Sequence, residues 1–438
     1  MRLDLGRDEL VMMGSALDLL RGLGELLPAG SVVLLEEPDL IRRNDLDRRC
    51  AALPIVSRLV AAEYQTGLDP AALLAREPGL ADARLVLPGQ EYGVVAAAGL
   101  ADALGLPGAG VKAAEIFTDK HQMRLTAAAA GLINPAFALV GTPAEATAFA
   151  RRQGGRCVLK PTRRAGSLGV QIISDPALVA AAWAASADPG ATPDATDRGL
   201  PTAVLAEQVL TGTEHSVELL VADGDVHFGN VTDKRVLAGG RPVETGHTVP
   251  SALPEDARQE LLDVAARLAV AAGFRTGVLH SEWIRTADGP ALVECAARLP
   301  GDLISALISV AYECGFVPAY LRALRGERPA LPARPTGAAA VEFLLAPPGT
   351  VTAVDGVRAA RRVPGVLDVG LGVTVGDRVV EVTSSTRRSG QVLAWGADPA
   401  EATGAAARAA GLIQITTGSA PAQGQRVRPK ETQPSESL

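Results

Sequence analysis

Two glutamates on one apolar hairpin constrain this chain more than any other feature. Residues 278–284 and 291–295 read as strands, and the turn-forming run Ala287-Asp-Gly-Pro290 joins them. That spacing predicts that Glu282, in His280-Ser-Glu282, and Glu294 lie on neighbouring strands. Carboxylates so close repel one another unless a cation stands between them. Mg²⁺ takes few protein carboxylates and completes its shell with water and phosphate oxygens, so a pair of glutamates is the donor set it needs. A surface hairpin would explain each glutamate separately, but the flanking Val278, Leu279, Leu292, Val293 and Cys295 are too apolar for one. Arg298, four residues beyond the second glutamate, offers a planar fork suited to a phosphoryl group.

A chain of 438 residues, 47% apolar, has room for two to four packed units around that hairpin. Its net charge of −7 argues against a nucleic-acid binder, which carries a basic stripe. The first ten residues hold Asp4, Asp8 and Glu9 and no basic segment before an apolar core, so no signal peptide is expected. No uncharged apolar run reaches the length of about 20 residues that spans a bilayer. Cys50, Cys157, Cys295 and Cys314 are far apart and form no C-x-x-C pair, which fits a reducing cytoplasm better than a disulfide framework.

Strand–helix alternation divides the chain into an open α/β domain over residues 1–110, a lobe over 111–205, a second lobe over 206–335, a strand-rich α+β module over 336–418 and a tail over 419–438. In the first domain, residues 31–37 and 85–87 read as buried parallel strands. Residues 111–131 have the composition of one helix, and 143–153, 254–273, 303–314 and 399–410 of four more. Strands are expected at 137–140 and 156–161, and at 204–209, 217–221 and 226–231, the last three in one sheet. The C-terminal module should contain strands at 339–345, 366–369, 380–382, 392–395 and 413–416. Residues 188–201 are polar and turn-forming and read as a surface loop; residues 420–438 lack an apolar face and read as disordered.

Further chemistry sits on this frame. A strand ending Val158-Leu159-Lys160-Pro161 leads into Arg163-Arg-Ala-Gly166-Ser167-Leu-Gly169. Glycines admit backbone N–H groups to phosphate oxygens and lysine supplies a point charge, although a plain hairpin with glycine at its turn fits equally. The chain uses arginine for most positive charge and has only five lysines, Lys112, Lys120, Lys160, Lys234 and Lys430, so each one carries weight. In the run Glu207 to Glu218, alternation puts Ser216 and Glu218 on one strand face, Gly212 marks a turn, and Glu214 opens the strand. A carboxylate there suits a ribose hydroxyl, or is a solvated edge charge.

In this order the pieces resemble the ATP-grasp superfamily, and within it the carboxylate–amine ligases: L-amino acid ligases (dipeptide synthetases) and carnosine-synthase-like enzymes. The likeness runs from about residue 30 to residue 418. It implies a two-lobed ATP-grasp core behind the N-terminal α/β domain. Lys120, in Thr118-Asp-Lys-His-Gln-Met-Arg124, and Lys160 match the family's phosphate-contacting lysines; Gly166, Ser167 and Gly169 match the loop that closes over the phosphates. Glu207, Gln208 and Val209 match the hinge whose backbone reads adenine, Glu214 the ribose ligand, Glu282 and Glu294 the Mg²⁺ ligands, and Arg298 the arginine on the transferred phosphoryl group.

Thr232-Asp-Lys234-Arg and Glu244-Thr-Gly-His247-Thr-Val-Pro-Ser251 resemble the substrate-facing stretch of amino acid ligases, where His247 would bind or deprotonate the attacking amine. A loop histidine satisfied by a backbone carbonyl is the plainer reading. Family members often carry asparagine two residues after the second glutamate, where this chain has Ala296. Asp302 falls where relatives vary the substrate pocket, to attract a substrate amino group or to cap a helix. The resemblance therefore implies ATP, Mg²⁺ with Mn²⁺ as the alternative, a small carboxylate and an amine as substrates, and homodimers among its members. Its rivals are an ATP-grasp ligase of purine-pathway or carboxylase type, and an ATP-binding protein without catalysis.

Overall fold

The computed structural model describes residues 3–188, 202–237, 243–382 and 384–418; the expected loop at 189–201 and tail at 420–438 lie outside them. By internal contacts the chain divides into two units: Met1–Asn230, Gln259–Pro300 and Gly315–Ala333 in one, and Val231–Arg258, Gly301–Cys314 and Arg334–Leu438 in the other.

The first unit opens with a parallel sheet ordered Val56–Ala61, Val32–Glu36, Leu10–Met13, Leu85–Pro88. Its two middle strands are buried along their whole length, which is why they carry uninterrupted apolar runs. The sequence shows the second and fourth of these strands in chain order; Leu10–Met13 and Val56–Ala61 are additions. One is only four residues long, and the other is an edge strand carrying Ser57 and Arg58. Because Leu10–Met13 lies between its successor and the last strand, the connections leave it on opposite sides, opening a crevice at the carboxyl ends. Tyr64, Gln65, Glu91 and Tyr92 come from segments that follow those ends.

A second, antiparallel sheet follows, ordered Phe137–Val140, Val204–Glu207, Cys157–Pro161, Gln171–Ile173. Phe149 and Ala150 of helix Pro143–Arg152 and Val179 of helix Val179–Ala187 pack on Cys157, Leu159 and Ala206. Residues 204–207 thus belong to a different sheet from 217–221 and 226–231, against the expectation of one. Period-two alternation identifies a strand but not its partners, and the segment at Gly212 redirects the chain between them. A Cβ on Gly212 would lie 2.0 Å from the Arg285 carbonyl oxygen, so only glycine fits there.

The expected single helix over 111–131 is two, Val111–Thr118 and Lys120–Ala129. Asp119 divides them: its extended backbone ends the first, and its carboxylate accepts from His121 N and Gln122 N as the N-cap of the second. The acidic hairpin is present as Gly277–Thr286 and Gly289–Ala296, with Thr213–Ala222 antiparallel on its other edge.

In the second unit, the latter half of Asp225–Val236 pairs with Glu244–Val249, followed in order by Ala338–Leu344, Gly390–Gly396 and Val366–Leu371, all antiparallel. Helix Pro399–Ala410 lays Ala402, Ala405 and Ala406 on Ala338, Ala340 and Ala394, an all-alanine contact that lets helix and sheet approach closely. A small sheet is ordered Arg378–Val379, Gly349–Asp355, Gln414–Gly418. The strand expected at 380–382 therefore ends before it: pairing stops at Val379, and Val380 is exposed.

Candidate active site

Within the hairpin, Glu282 stands directly opposite Glu294, and His280 opposite Ala296, so the four side chains share one face. A bulge follows Glu282. Beyond it the wholly buried Trp283, whose indole N–H donates to Ser281 Oγ at 2.8 Å, anchors the strand. His280 lies between two carboxylates, with Nδ1 3.0 Å from Glu218 Oε1 and Nε2 3.6 Å from Glu282 Oε1. Burial alone would lower its pKa, but the hydrogen bonds to Glu218 and Glu282 raise it to about 9. Glu218 is itself buried and accepts from Ser216 Oγ at 2.6 Å and Asn230 Nδ2 at 2.8 Å. The shared face of Ser216 and Glu218 is thus present, and on it Ser216 donates to the carboxylate that pairs with His280.

Lys120 opens its helix because Asp119 caps it, and its Nζ reaches the Arg164 carbonyl oxygen at 2.5 Å and Glu294 Oε2 at 3.5 Å. One turn on, Arg124 is completely buried. It donates through Nε to Glu207 Oε1 at 2.7 Å, through Nη1 to the Leu292 carbonyl at 2.8 Å and through Nη2 to the Val293 carbonyl at 2.6 Å. Lys160 Nζ lies 2.7 Å from Glu207 Oε2. Burial would raise the Glu207 pKa, but Arg124 and Lys160 lower it to about 2. Burial lowers that of Lys160, against the pull of Glu207.

Sequence reasoning missed Arg124 as a functional residue, although it lies four residues from Lys120 and so on the same helix face. It links the strand bearing Glu294 to the end of strand Val204–Glu207. Just past that end, Gln208 N donates to the Ala136 carbonyl at 2.8 Å. Val209 lies just past the strand, and Glu214 is the second residue of the next one, opposite Ile284.

In the loop after Lys160, Gly166, Ser167 and Gly169 all have left-handed backbone, with φ of 66°, 58° and 78°. A Cβ on Gly169 would come within 2.9 Å of the Ala185 carbonyl oxygen. Arg298 Nε donates to Glu91 Oε2 at 2.7 Å and Nη1 to the Leu299 carbonyl at 3.0 Å, which fixes the guanidinium plane. Lys120, Glu294 and Arg298, with Tyr64, Glu91 and Tyr92, line one cavity of about 1140 Å³. Among the described residues no cluster of three or more His, Cys, Asp or Glu forms a metal cage. Two facing carboxylates, with water or phosphate oxygens completing the shell, fit a hard divalent cation.

The second unit holds the other expected residues. Lys234 and His247 are opposite in strand register, and Lys234 Nζ is 3.5 Å from Glu244 Oε1. His247 is a strand residue, so the loop reading is set aside, and its Nε2 is 3.3 Å from Asp302 Oδ2. Asp302 caps nothing. The position before helix Ile304–Ala311 is Leu303, without a side-chain cap, and the Asp302 carboxylate faces His247 and Arg388 instead. The structure thus groups Lys234 with Glu244, and His247 with Asp302; it adds Arg388, for which the sequence offered no signal.

Two family models match the chain: an ATP-grasp domain over residues 154–306 and the L-amino acid ligase C-terminal domain 2 over residues 342–418. An uncharacterised protein of Sinorhizobium fredii is 30% identical over 293 residues, covering 66% of this chain and 59% of that protein. Alanine–anticapsin ligase of Bacillus subtilis is 30% identical over 228 residues, 45% of this chain and 44% of that enzyme. The chain therefore spans less than two thirds of either relative. Among solved structures, L-amino acid ligase from Bacillus licheniformis has the same fold, with a TM-score of 0.75 at 19% identity over 95% of this chain and 100% of that one.

Proposed function

We propose that this chain, which belongs to the ATP-grasp superfamily, joins a small carboxylate to the amine of an amino acid at the expense of ATP. The observation that carries this reading is the register of the hairpin. Glu282 faces Glu294, with Lys120 Nζ 3.5 Å from the second carboxylate and Arg298 on the same strand's continuation. Like charges so placed destabilise a sheet, and a divalent cation with a nucleotide's phosphates relieves them. Mg²⁺, or Mn²⁺ in its place, would be held by Glu282 and Glu294 and would neutralise phosphate charge when bound.

The chain's own residues supply positioning and charge. Lys120 and Lys160 would bind phosphate oxygens, Lys160 leaving Glu207 to Arg124 as it does so. Arg298, its plane fixed by Glu91, would stabilise the phosphoryl group as it passes to the substrate carboxylate. Glu207, Gln208 and Val209 would border the adenine and Glu214 the ribose. The amine would then attack the acyl carbon, forming the amide C–N bond as the C–O bond to phosphate breaks and phosphate leaves. We assign His247, with Glu244, Lys234 and Asp302, to that amine, His247 accepting its proton. The four cysteines are free, which supports a reducing cytoplasm as part of this reading, with a homodimer as its assembly.

The test is phosphate release from ATP and Mg²⁺ across a matrix of amino acids and small carboxylates, followed by mass spectrometry. Release that requires two substrates and yields a condensed product is expected. Release with bicarbonate alone would favour the carboxylase type, and nucleotide binding without release from any pair would favour a protein that only binds ATP.

A further inference from the structure

Asp302 receives more than its place in the sequence explains. Arg388, from the C-terminal module, grips both its oxygens: Nη1 donates to Oδ2 at 3.0 Å and Nη2 donates to Oδ1. His247 Nε2 shares Oδ2 at 3.3 Å. Phe343 supports both partners, with the Arg388 guanidinium 3.6 Å above its ring and the His247 ring edge-on at 5.7 Å. The backbone is held to match. Asp302 and Leu303 are successive non-glycine residues in the left-handed region, at φ 56° and 64°, a conformation that persists only where its surroundings enforce it.

The chemistry of this arrangement fixes a proton. An ionised carboxylate only accepts hydrogen bonds. Burial would raise the Asp302 pKa, yet the hydrogen bonds from His247 and Arg388 hold it well below the usual carboxylate range. His247 Nε2 must then be the donor. His247 is 1% exposed, and its Nδ1 has no hydrogen-bond partner among the described residues. The other charged groups beside its strand are Lys234, opposite it in register, Glu244, 3.5 Å from Lys234, Asp233, opposite Thr248, and the ion pair of Arg235 and Glu342, both opposite Gly246. The Arg388 fork holds the carboxylate in place, so that it keeps facing Nε2 of His247.

We infer that Arg388 is a positioning residue: through Asp302 it keeps His247 as the neutral Nε2–H tautomer, so that Nδ1 is left as a buried proton acceptor. The inference rests on the proposed ligase for its purpose but is testable without turnover. With five histidines in the chain, ¹⁵N-histidine labelling of the full protein, with His247→Gln to assign the signal, reads the tautomer directly. At neutral pH we expect Nε2 protonated and Nδ1 bare in the wild type. In Arg388→Ala the signals should move to mixed tautomers or to imidazolium. Arg388→Lys, which keeps the charge without the fork and is the milder test of folding, should fall between.

A proton on Nδ1 in the wild type, or an unchanged pattern in Arg388→Ala, would overturn the inference. So would Arg388→Lys indistinguishable from wild type, since charge alone would then suffice. Where a substrate pair has been found, Arg388→Ala should lower kcat roughly 10- to 100-fold, leaving KM for ATP unchanged. The expected tautomer with a His247→Gln enzyme of normal rate would refute the role of His247 in the ligase and leave the positioning by Arg388 standing.

Discussion

The two charged clusters of this molecule are built on opposite principles. On the hairpin of the first unit, Glu282 and Glu294 oppose each other as like charges, only twelve residues apart in the chain. In the second unit Asp302 is enclosed by Arg388 and His247, 86 and 55 residues away. In the first, each carboxylate has one basic neighbour at 3.5 to 3.6 Å, Lys120 or His280; in the second, a guanidinium fork and an imidazole close on a single carboxylate. A cluster that awaits a ligand should therefore govern how stability and activity respond to that ligand, whereas a compensated one should govern stability by itself. Arg124 and Glu207 share the first unit with the hairpin but behave as the second kind, a buried pair whose arginine also holds the Leu292 and Val293 carbonyls next to Glu294.

The largest effect that would break this comparison is on turnover. Glu282→Gln should lower kcat at least about 10³-fold, as loss of a charge-stabilising group in a preorganised site does. It should leave the melting temperature of the free protein unchanged or higher, because a repulsion is removed. The rise in melting temperature caused by Mg²⁺ and ATP should disappear. Near-normal turnover would remove the carboxylate pair from the site.

Next comes stability within the compensated clusters. Arg124→Met leaves Glu207 buried with Lys160 alone and should cost about 3–5 kcal/mol in urea unfolding. Adding Glu207→Gln should restore part of it; equal losses in the single and double variants would mean that Arg124 acts by packing alone. Asp302→Asn should cost about 2–3 kcal/mol by weakening the hold on Arg388, with the same loss in the presence and absence of Mg²⁺. A Mg²⁺-dependent loss would erase the distinction between the clusters.

A smaller, titratable effect follows from Glu207, whose pKa falls from 4.5 to about 2 on folding. Because the folded value is the lower one, its stabilisation is complete above about pH 4.5 and is lost as the pH falls through 2. Acid titration of unfolding should show that loss in the wild type and a flatter curve in Glu207→Gln. Smallest of all, Arg163→Ala removes an ion pair to Asp119 from a side chain that is 41% exposed. It should change stability by under about 1 kcal/mol.

Much of the first unit could be read from the chain because its signals are local. The apolar flanks of Glu282 and Glu294, the turn at Ala287 to Pro290 and the lysine–glycine run all lie within short windows. Errors arose where one window holds two signals. Asp119 sits in a helical composition that continues on both sides, so only its capping hydrogen bonds reveal the break. Residues 204–207 alternate like any strand, and nothing in them names Phe137–Val140 and Cys157–Pro161 as partners.

By itself the sequence determined the strand-and-helix periods, the acidic hairpin, and the lysines and glycine loop that suit phosphate. Each depends on neighbours a few residues away, where side-chain period and turn chemistry act. Only the tertiary structure decided that Arg124 reaches Glu207, that Glu91 fixes Arg298, and that Arg388 encloses Asp302 beside His247. Those contacts join residues 55 to 207 positions apart. Charge at such separations leaves no periodic trace in a chain, because burial and strand register bring the partners together only after folding.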